Sequence, residues 1–201
     1  MLNYNSKQIG FIAYGANFLE WMVIVMDVLS AIEKRREITA YKENPISEED
    51  LSKLKTALYQ SPTGNNLPSR EFILITNKSL LAQLSKTTPY MRWLEQAAAG
   101  AAIIGREEVS KYWLQDASIA GGYLWLAATS LGLGAAWGAV YHAEDQQESA
   151  QRESYVRNLL GIPEKYRVVA ILGLGYPASD PPPKEMYAED AVFHSNGFNV
   201  R

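Results

Sequence analysis

The chain has 201 residues, of which 47% are hydrophobic and 20% charged, and its formal net charge is -3 at pH 7. This slight acidity argues against general nucleic-acid binding, because such binding needs a basic surface that displaces counterions from phosphates. The sequence has no cysteine, which excludes disulfides, thiolate nucleophiles and cysteine-ligated metals, and its two histidines, His142 and His194, lie far apart. We therefore expect a cytoplasmic protein with no resident metal.

The first apolar stretch runs from Phe11 to Ile32. Glu20 and Asp27 interrupt it, and a carboxylate at the centre of a membrane-spanning helix costs about 3 kcal/mol on insertion scales. We therefore expect a packed amphipathic helix over about Trp21–Arg36 rather than stable membrane insertion.

The next helix is predicted to begin after Ser47, whose hydroxyl suits an N-cap, and to end before Pro62. Polar and turn-forming residues follow as Ser61-Pro62-Thr63-Gly64-Asn65-Asn66. Between a helix and a buried strand, such residues leave backbone N–H groups and side-chain amides open. The segment suits a planar ligand that forms hydrogen bonds, although taken alone it is equally typical of an ordinary connector.

Two apolar runs predict strands that are buried on both faces, Glu71–Thr76 and Arg167–Leu174. Between them, Asn77–Ser85 is predicted as a short helix, and Ala97–Ile104 as a helix followed by a strand.

The strongest helix candidate is Tyr112–Leu131, which is apolar around most of its circumference. Such a helix lies in the interior or at a subunit interface. Gly132 and Gly134 end it, and the small residues of Ala135–Tyr141, a strand or extended loop, let a flat ligand approach the backbone closely. A further helix is predicted over Glu144–Leu160.

The predicted elements alternate without strict β-α-β regularity, which favours an α+β sandwich over a doubly wound sheet. We divide the chain into an N-terminal extension, residues 1–20, and a single domain, residues 21–201. The tail, residues 178–201, contains Pro181-Pro182-Pro183 and cannot form a compact unit alone. We expect it to pack on a partner subunit.

Six sequence fragments occur in the order and at the spacing of one known family. They are Arg35-Arg36-Glu37-Ile38-Thr39-Ala40-Tyr41, Ser61-Pro62-Thr63-Gly64-Asn65-Asn66-Leu67-Pro68-Ser69, Asp116-Ala117-Ser118-Ile119-Ala120, Leu131-Gly132-Leu133-Gly134-Ala135-Ala136-Trp137-Gly138, Leu160-Gly161-Ile162-Pro163, and Gly173-Leu174-Gly175-Tyr176-Pro177 followed by Lys184. Each fragment alone is a weak signal, whereas the ordered set is specific. From Val28 to Phe198 the chain therefore resembles the nitroreductase family of FMN-dependent oxidoreductases.

The resemblance implies a nitroreductase-like α-β-α sandwich with a central, mainly antiparallel sheet, in an intertwined homodimer that binds FMN at the subunit interface. In this arrangement Arg35, Arg36 and Lys184 hold the phosphate and ribityl chain. The loop at Thr63–Asn66 meets the edge of the isoalloxazine ring, and backbone groups near Gly138 approach flavin N5. The full set of implied cofactor-binding residues is Arg35, Arg36, Glu37, Thr39, Pro62, Thr63, Gly64, Asn65, Asn66, Ala136, Trp137, Gly138, Ala139 and Lys184.

Four places depart from the pattern of the family. Glu37 replaces a small serine and puts a negative charge beside the expected phosphate, and Thr39 replaces a basic residue. Pro68-Ser69 stands in place of Gln-Pro, and Met186 in place of a second cation of the tail. These changes are expected to weaken FMN binding or to alter the reduction potential of the flavin.

The resemblance also implies a ping-pong reaction, in which NAD(P)H delivers hydride to flavin N5 and leaves before an electron-poor acceptor, such as a nitroaromatic or a quinone, takes its place. No side chain is assigned a catalytic role, since the flavin carries the electrons. Three alternatives stay open: a related reductive dehalogenase or ene-type reductase, a flavin-binding or flavin-sequestering protein with little turnover, and an interaction protein that uses the N-terminal apolar segment. Without the ordered fragments, Arg35-Arg36 is more typical of a solvated helix end.

Overall fold

A computed structural model describes residues 26–198 of the chain. The helices are α1 (Val28–Lys34), α2 (Glu48–Tyr59), α3 (Lys78–Leu84), α4 (Trp113–Ser130) and α5 (Gln146–Leu160). The strands are β1 (Arg70–Ile75), β2 (Ala99–Gly105), β3 (Gly134–Ala139) and β4 (Arg167–Gly175), and short 3-10 helices cover Gly64–Asn66, Pro89–Gln96 and Glu189–Ala191. The predicted N-terminal extension, residues 1–20, lies outside the described residues, as do residues 21–25 of the predicted first helix and residues 199–201 of the tail.

The four strands form one sheet in the order β1-β2-β4-β3, and every neighbouring pair is antiparallel. β2 and β4 are central and almost wholly buried, which explains their continuous apolar sequences. β3 is an edge strand, so one side of its backbone is open to a further partner.

Helices cover both faces of this sheet. Alternate residues of β2 point to opposite faces, so Ala101 and Ile103 pack with α2 and α4, whereas Ala102 and Ile104 pack with α3 and α5. The molecule is therefore an α-β-α sandwich of the α+β class, as the sequence predicts.

Side-chain caps set where the helices begin. The Ser47 hydroxyl accepts a hydrogen bond from Asp50 N–H at 3.1 Å, which confirms the predicted start of α2. The side chains of Asn77 and Asp145 cap α3 and α5 in the same way.

Two predicted elements are wrong in extent. The helix predicted over Trp21–Arg36 begins only at Val28 within the described residues, because the extended Asp27 caps it by accepting from Leu29 N–H and Ser30 N–H. The predicted helical start of Ala97–Ile104 is also wrong, since a 3-10 helix ends at Gln96 and β2 begins at Ala99. Small residues make this segment helix-compatible, but pairing with both β1 and β4 decides its conformation.

Within residues 26–198, none of the helices has both the length and the hydropathy needed to cross a bilayer. An apolar surface nevertheless runs along α1 and α4, where large side chains are exposed to solvent. Val28 is 68% exposed, Leu29 76%, Ile119 43% and Tyr123 45%. A surface of this kind is typical of an interface with another chain.

Candidate functional site

The predicted site residues fall into two clusters, which lie along the 18-residue helix α4. The loop residues Pro62–Asn66 lie against its N-terminal end, where Gly64 N–H donates to the Asp116 carboxylate at 2.9 Å. The arginines lie toward its C-terminal end, where the Arg35 guanidinium stacks on the Trp125 ring at 4.8 Å from the ring centre. Asp116 and Trp125 are nine residues apart on α4, which corresponds to about 14 Å along the helix axis.

A buried carboxylate fixes the loop that joins α2 to β1. Asp116 is only 3% exposed. One of its oxygens accepts from Gly64 N–H and the other from the Ser69 hydroxyl at 2.5 Å, so a single side chain closes a loop of residues 61–69, which we name the 61–69 loop. Gly64 is required at this contact, because a Cβ there would collide with the Tyr112 ring.

Arg70 holds the beginning of the same loop. Its guanidinium donates to the Ser61 hydroxyl at 2.9 Å, to the Ser61 carbonyl and to the Tyr59 carbonyl at 3.3 Å. Partial burial lowers the pKa of Arg70, whereas the negative charge of Asp116 acts in the opposite direction. The 61–69 loop is therefore held from α4 and from β1.

The tip of the loop has an unusual backbone. Asn65 and Asn66 both have positive φ, at 56° and 55°, in the left-handed region that favours glycine. Both side chains are exposed, and Pro62, Thr63 and Gly64 line a shallow open pocket of about 300 Å³ beside Tyr112. Asparagine tolerates this conformation better than most residues, but it still costs on the order of 1 kcal/mol per residue. Strain of this kind clusters at functional sites.

The second cluster forms because the chain after α1 runs along the open edge of β3. Glu37 pairs in parallel with Ala135, and Ile38 N–H donates to the Ala135 carbonyl at 3.0 Å. This pairing places Glu37 beside Ala135, directly before the predicted backbone segment of Ala136, Trp137, Gly138 and Ala139. Arg36 lines a cleft together with Gly132, Leu133 and Gly134, at the start of β3. Thr39 continues the same segment and is exposed.

The two arginines are used differently. Arg36 donates to three carbonyl groups of its own chain: Glu33 at 2.7 Å, Arg35 at 2.9 Å and Pro182 at 3.2 Å. It therefore ties the tail to the end of α1. Arg35 stacks on Trp125, whose indole N–H donates to the Arg36 carbonyl at 3.1 Å. The Arg35 guanidinium thus lies over an indole ring that is itself hydrogen-bonded to the next residue of the chain.

Glu37 interacts with the backbone of β3. Its carboxylate accepts a long hydrogen bond, 3.4 Å, from Trp137 N–H. Burial raises the pKa of the Tyr41 hydroxyl above its ordinary value, and the negative charge of Glu37 adds to this increase. The Tyr41 hydroxyl also donates to the Gly173 carbonyl at 3.2 Å.

Two features of β3 have a packing explanation. A Cβ on Gly138 would collide with the Met91 side chain, and a Cβ on Gly121 of α4 would collide with the Trp137 ring. Glycine at position 138 is thus explained by the 3-10 helix Pro89–Gln96, which carries Met91, and the position of the Trp137 ring by contact with α4. The outer edge of β3 is not paired with another strand of the described sheet, and on it the Ala135 carbonyl accepts from Ile38 N–H and Trp137 N–H donates to the Glu37 carboxylate.

Lys184 lies in the tail, two residues beyond the Pro182 carbonyl that Arg36 binds, and its side chain is exposed. An open cleft of about 400 Å³ adjoins this contact, and its lining includes Lys34, Arg36 and Pro181. Met186 and Tyr187 are 72% and 84% exposed. The tail thus attaches to Arg36 two residues before Lys184 and presents apolar side chains to solvent.

Two residues of the site carry more of the geometry than the sequence indicates. Asp116 is one of the few polar residues in the apolar α4, and a carboxylate in such a helix is the feature of the sequence that could have identified it. Trp125 supports Arg35, and aromatic residues in a core helix give no comparable signal.

The comparisons with known proteins agree with the fold and with the ordered fragments. The model of the nitroreductase family matches residues 32–88 and 85–176. A protein of Methanothermobacter thermautotrophicus, named as a candidate NADH dehydrogenase/NAD(P)H nitroreductase, is 32% identical over 177 residues, which cover 87% of this chain and 90% of that protein. The chain therefore belongs to the nitroreductase family.

Solved structures show the same fold. A crystal structure of a candidate NADH dehydrogenase/NAD(P)H nitroreductase from Bacteroides thetaiotaomicron has a TM-score of 0.77 and 29% identity, and it covers 85% of this chain and 98% of its own. An FMN-dependent nitroreductase from Clostridium difficile has a TM-score of 0.74 and 31% identity, with coverage of 84% and 98%.

Proposed function

We propose that the protein is an FMN-dependent oxidoreductase that passes hydride from NAD(P)H to an electron-poor small molecule, such as a nitroaromatic or a quinone. The observation that carries this proposal is the pairing of the segment after α1 with β3. Through that pairing, Glu37 lies opposite Ala135, so the segment that carries Arg35 and Arg36 runs beside the first residues of β3, next to Ala136–Ala139 in the sequence. The C. difficile relative is described as FMN-dependent, which supports the same cofactor here.

The residues present fit FMN by their chemistry. Arg35 and Lys184 supply positive charge for a phosphate, and Arg36 fixes the tail that carries Lys184. The backbone edge of β3 and the exposed amides of Asn65 and Asn66 supply hydrogen-bonding groups for a planar, polar ring. When bound, FMN supplies hydride acceptance and donation.

The protein's own groups bind and orient the reactants in this proposal. The 61–69 loop, which Asp116 and Arg70 bind, sets one edge of the site, and Trp125 limits the positions that Arg35 can take. Because neither a buried acid nor a histidine in the described residues adjoins the open edge of β3, we assign no proton-transferring side chain. Glu37 is exposed and lowers the positive charge of the anchor.

We propose further that the site is completed in a homodimer. The apolar surface includes Val28 and Leu29 of α1 and Tyr123 of α4, and α4 is also the helix that both clusters contact. Burial of exposed apolar area drives such association, at roughly 25 cal/mol per Å². In this dimer the 61–69 loop of one protomer and Arg35 of its partner bind one flavin.

Anaerobic mixing of the FMN-loaded protein with NADH or NADPH tests the activity. We expect the flavin absorbance near 450 nm to bleach within the mixing experiment and to return when a quinone is added, at roughly 1 to 1,000 turnovers per second for a typical enzyme. Bound FMN that neither nucleotide bleaches contradicts the proposed oxidoreductase. That result supports a flavin-binding or flavin-sequestering protein. The negative charge of Glu37 beside the phosphate-binding cations is consistent with that alternative.

A further inference from the structure

We infer that Asp116 is a positioning residue for the cofactor: its buried carboxylate holds the 61–69 loop in the strained conformation that receives the flavin ring. This inference rests on the proposed function and adds a residue that acts on the ring end of the flavin through the loop. Asp116 lies on α4, while both groups that it binds lie in the 61–69 loop, 52 and 47 residues earlier in the chain.

The geometry shows why this side chain controls the loop tip. Gly64 N–H and the Ser69 hydroxyl flank the tip on its two sides, and Asp116 binds one with each oxygen. Between them, Asn66 N–H donates to the Thr63 carbonyl at 3.2 Å, and Leu67 N–H donates to the Gly64 carbonyl at 3.3 Å. These are the local bonds of a tight turn, so the two longer-range bonds to Asp116 fix where that turn lies.

The strained backbone at the loop tip indicates that the tip depends on the bonds to Asp116 for its conformation. Asn65 and Asn66 hold positive φ without the freedom of glycine, and such a conformation persists only where surrounding contacts impose it. Asp116 is the buried side chain that bonds to both flanks of this tip. Without it, the turn can relax to ordinary φ values and its exposed amides can move.

Arg70 supports the first part of the loop but does not replace Asp116. Its hydrogen bonds reach Tyr59 and Ser61, before the tip. Ser69 N–H donates to the Leu67 carbonyl, and the Ser69 carbonyl accepts from Arg106 N–H at 2.7 Å, so the end of the loop remains attached to the sheet. Loss of Asp116 is thus expected to release the tip while both ends stay attached.

The test compares FMN with riboflavin, which has the same ring but no phosphate. Asp116→Ala is expected to weaken the binding of both flavins by a similar factor, roughly tenfold or more, because the ring contacts are shared. Asp116→Asn keeps an acceptor for Gly64 N–H and a donor for the Ser69 hydroxyl, so we expect it to restore most of the affinity. Ser69→Ala removes one of the two bonds and is expected to cause a smaller loss, again equal for both flavins.

Two variants control for stability and for the helix itself. Ser149→Ala removes a buried hydroxyl that binds Glu153, far from the loop, and we expect unchanged affinity for both flavins in the folded protein. Ser118→Ala removes an exposed hydroxyl one half-turn along α4 from Asp116, and we expect no change there either. Flavin affinities are measured by fluorescence quenching on protein whose folding is checked by circular dichroism.

The outcomes separate this inference from the proposed function. If the wild-type protein binds neither flavin, the proposed function is wrong and the inference with it. If the wild-type protein binds both and folded Asp116→Ala binds them equally well, only the positioning role is wrong. The positioning role is also wrong if Asp116→Ala weakens the binding of FMN but not of riboflavin, or if the control Ser149→Ala weakens flavin binding as much as Asp116→Ala does. If Asp116→Ala does not fold, Ser69→Ala decides: an equal loss for both flavins supports the role, and no loss overturns it.

Discussion

Asp116 and Glu153 are both carboxylates buried in the sandwich, yet they are compensated in different ways. Glu153, on α5, is 1% exposed and accepts from the Arg167 guanidinium at 2.8 and 3.0 Å, from Val168 N–H at 3.0 Å and from the Ser149 hydroxyl at 3.0 Å. Asp116 accepts from a backbone N–H and a hydroxyl.

The difference separates a structural carboxylate from a site-forming one. Glu153 joins α5 to the start of β4, both regular elements of the scaffold, and its arginine partner also lies over the Trp113 and Tyr141 rings. Asp116 joins a regular helix to an irregular loop with a strained tip. Loss of the Glu153 contacts should therefore lower the free energy of unfolding, and loss of the Asp116 contacts should weaken ligand binding.

The largest effect is expected at Glu153. Glu153→Gln removes the buried charge that faces Arg167, which keeps only the more exposed Glu107 as an ionic partner among the described residues. Breaking a fully buried pair costs about 3–5 kcal/mol, so we expect a loss of unfolding free energy toward the lower end of that range. Urea unfolding measures this loss. We expect unchanged flavin affinity in the fraction that remains folded, and weaker binding there would mean that the two carboxylates are not separate in role.

The next effect is expected at the other end of the flavin. Arg35→Ala removes a charge-assisted contact worth about 1.5–3 kcal/mol, so FMN affinity should fall about 10- to 100-fold. Riboflavin lacks the phosphate and should bind as before, in contrast to its behaviour with Asp116→Ala. Titration of both flavins measures this, and unchanged FMN affinity would refute the phosphate role of Arg35.

The pH dependence of stability gives a third distinction. Burial raises the pKa of the Glu153 carboxyl, but the hydrogen bonds from Arg167, Val168 N–H and Ser149 outweigh it, so the pKa lies below the ordinary value of 4.5. A depressed pKa stabilises the folded state above the unfolded pKa, and this contribution is lost as pH falls below 4.5 toward the folded pKa. The slope contributed by one group is at most about 1.4 kcal/mol per pH unit. Unfolding free energies measured between neutral pH and the acid limb should show less pH dependence in Glu153→Gln, and an unaltered slope would contradict the assignment.

The smallest effect is expected at Glu37, whose charge lies beside the arginines. Glu37→Gln removes an exposed negative charge near the proposed phosphate, and exposed charge pairs are worth about 0.2–1 kcal/mol, so FMN should bind up to about fivefold more tightly. The gain should shrink at high salt because screening weakens exposed charges. Because glutamine can still accept from Trp137 N–H, weaker FMN binding in this variant would contradict the proposed repulsion between Glu37 and the phosphate.

Much of the fold was predictable from local patterns. The apolar runs that became β1 and β4, the cap at Ser47 and the apolar α4 all follow from periodicity and capping chemistry. The start of α1 was less accessible, because its cap, Asp27, lies inside a longer apolar stretch of the sequence.

The site was predictable in composition but not in arrangement. The loop residues and the arginines stand out as turn-forming and cationic, whereas the contacts that fix them join distant parts of the chain. Asp116 reaches Gly64 across 52 residues, and Arg36 reaches Pro182 across 146. No local periodicity specifies such contacts, so the roles of Asp116 in the loop and of Arg36 at the tail could be recognised only in the folded structure.

In the proposed dimer, one flavin is bound by the 61–69 loop of one protomer and by Arg35 of its partner. Mixed dimers of Asp116→Ala and Arg35→Ala test it most directly, since one of their two sites then combines the intact loop with the intact arginine. After the two variants are unfolded together and refolded, we predict that tight FMN binding, weak in each variant alone, returns in the mixed dimers. If the mixed dimers form and bind FMN no better than either parent, the loop and the arginine belong to one protomer or to no common site, and the claim is wrong.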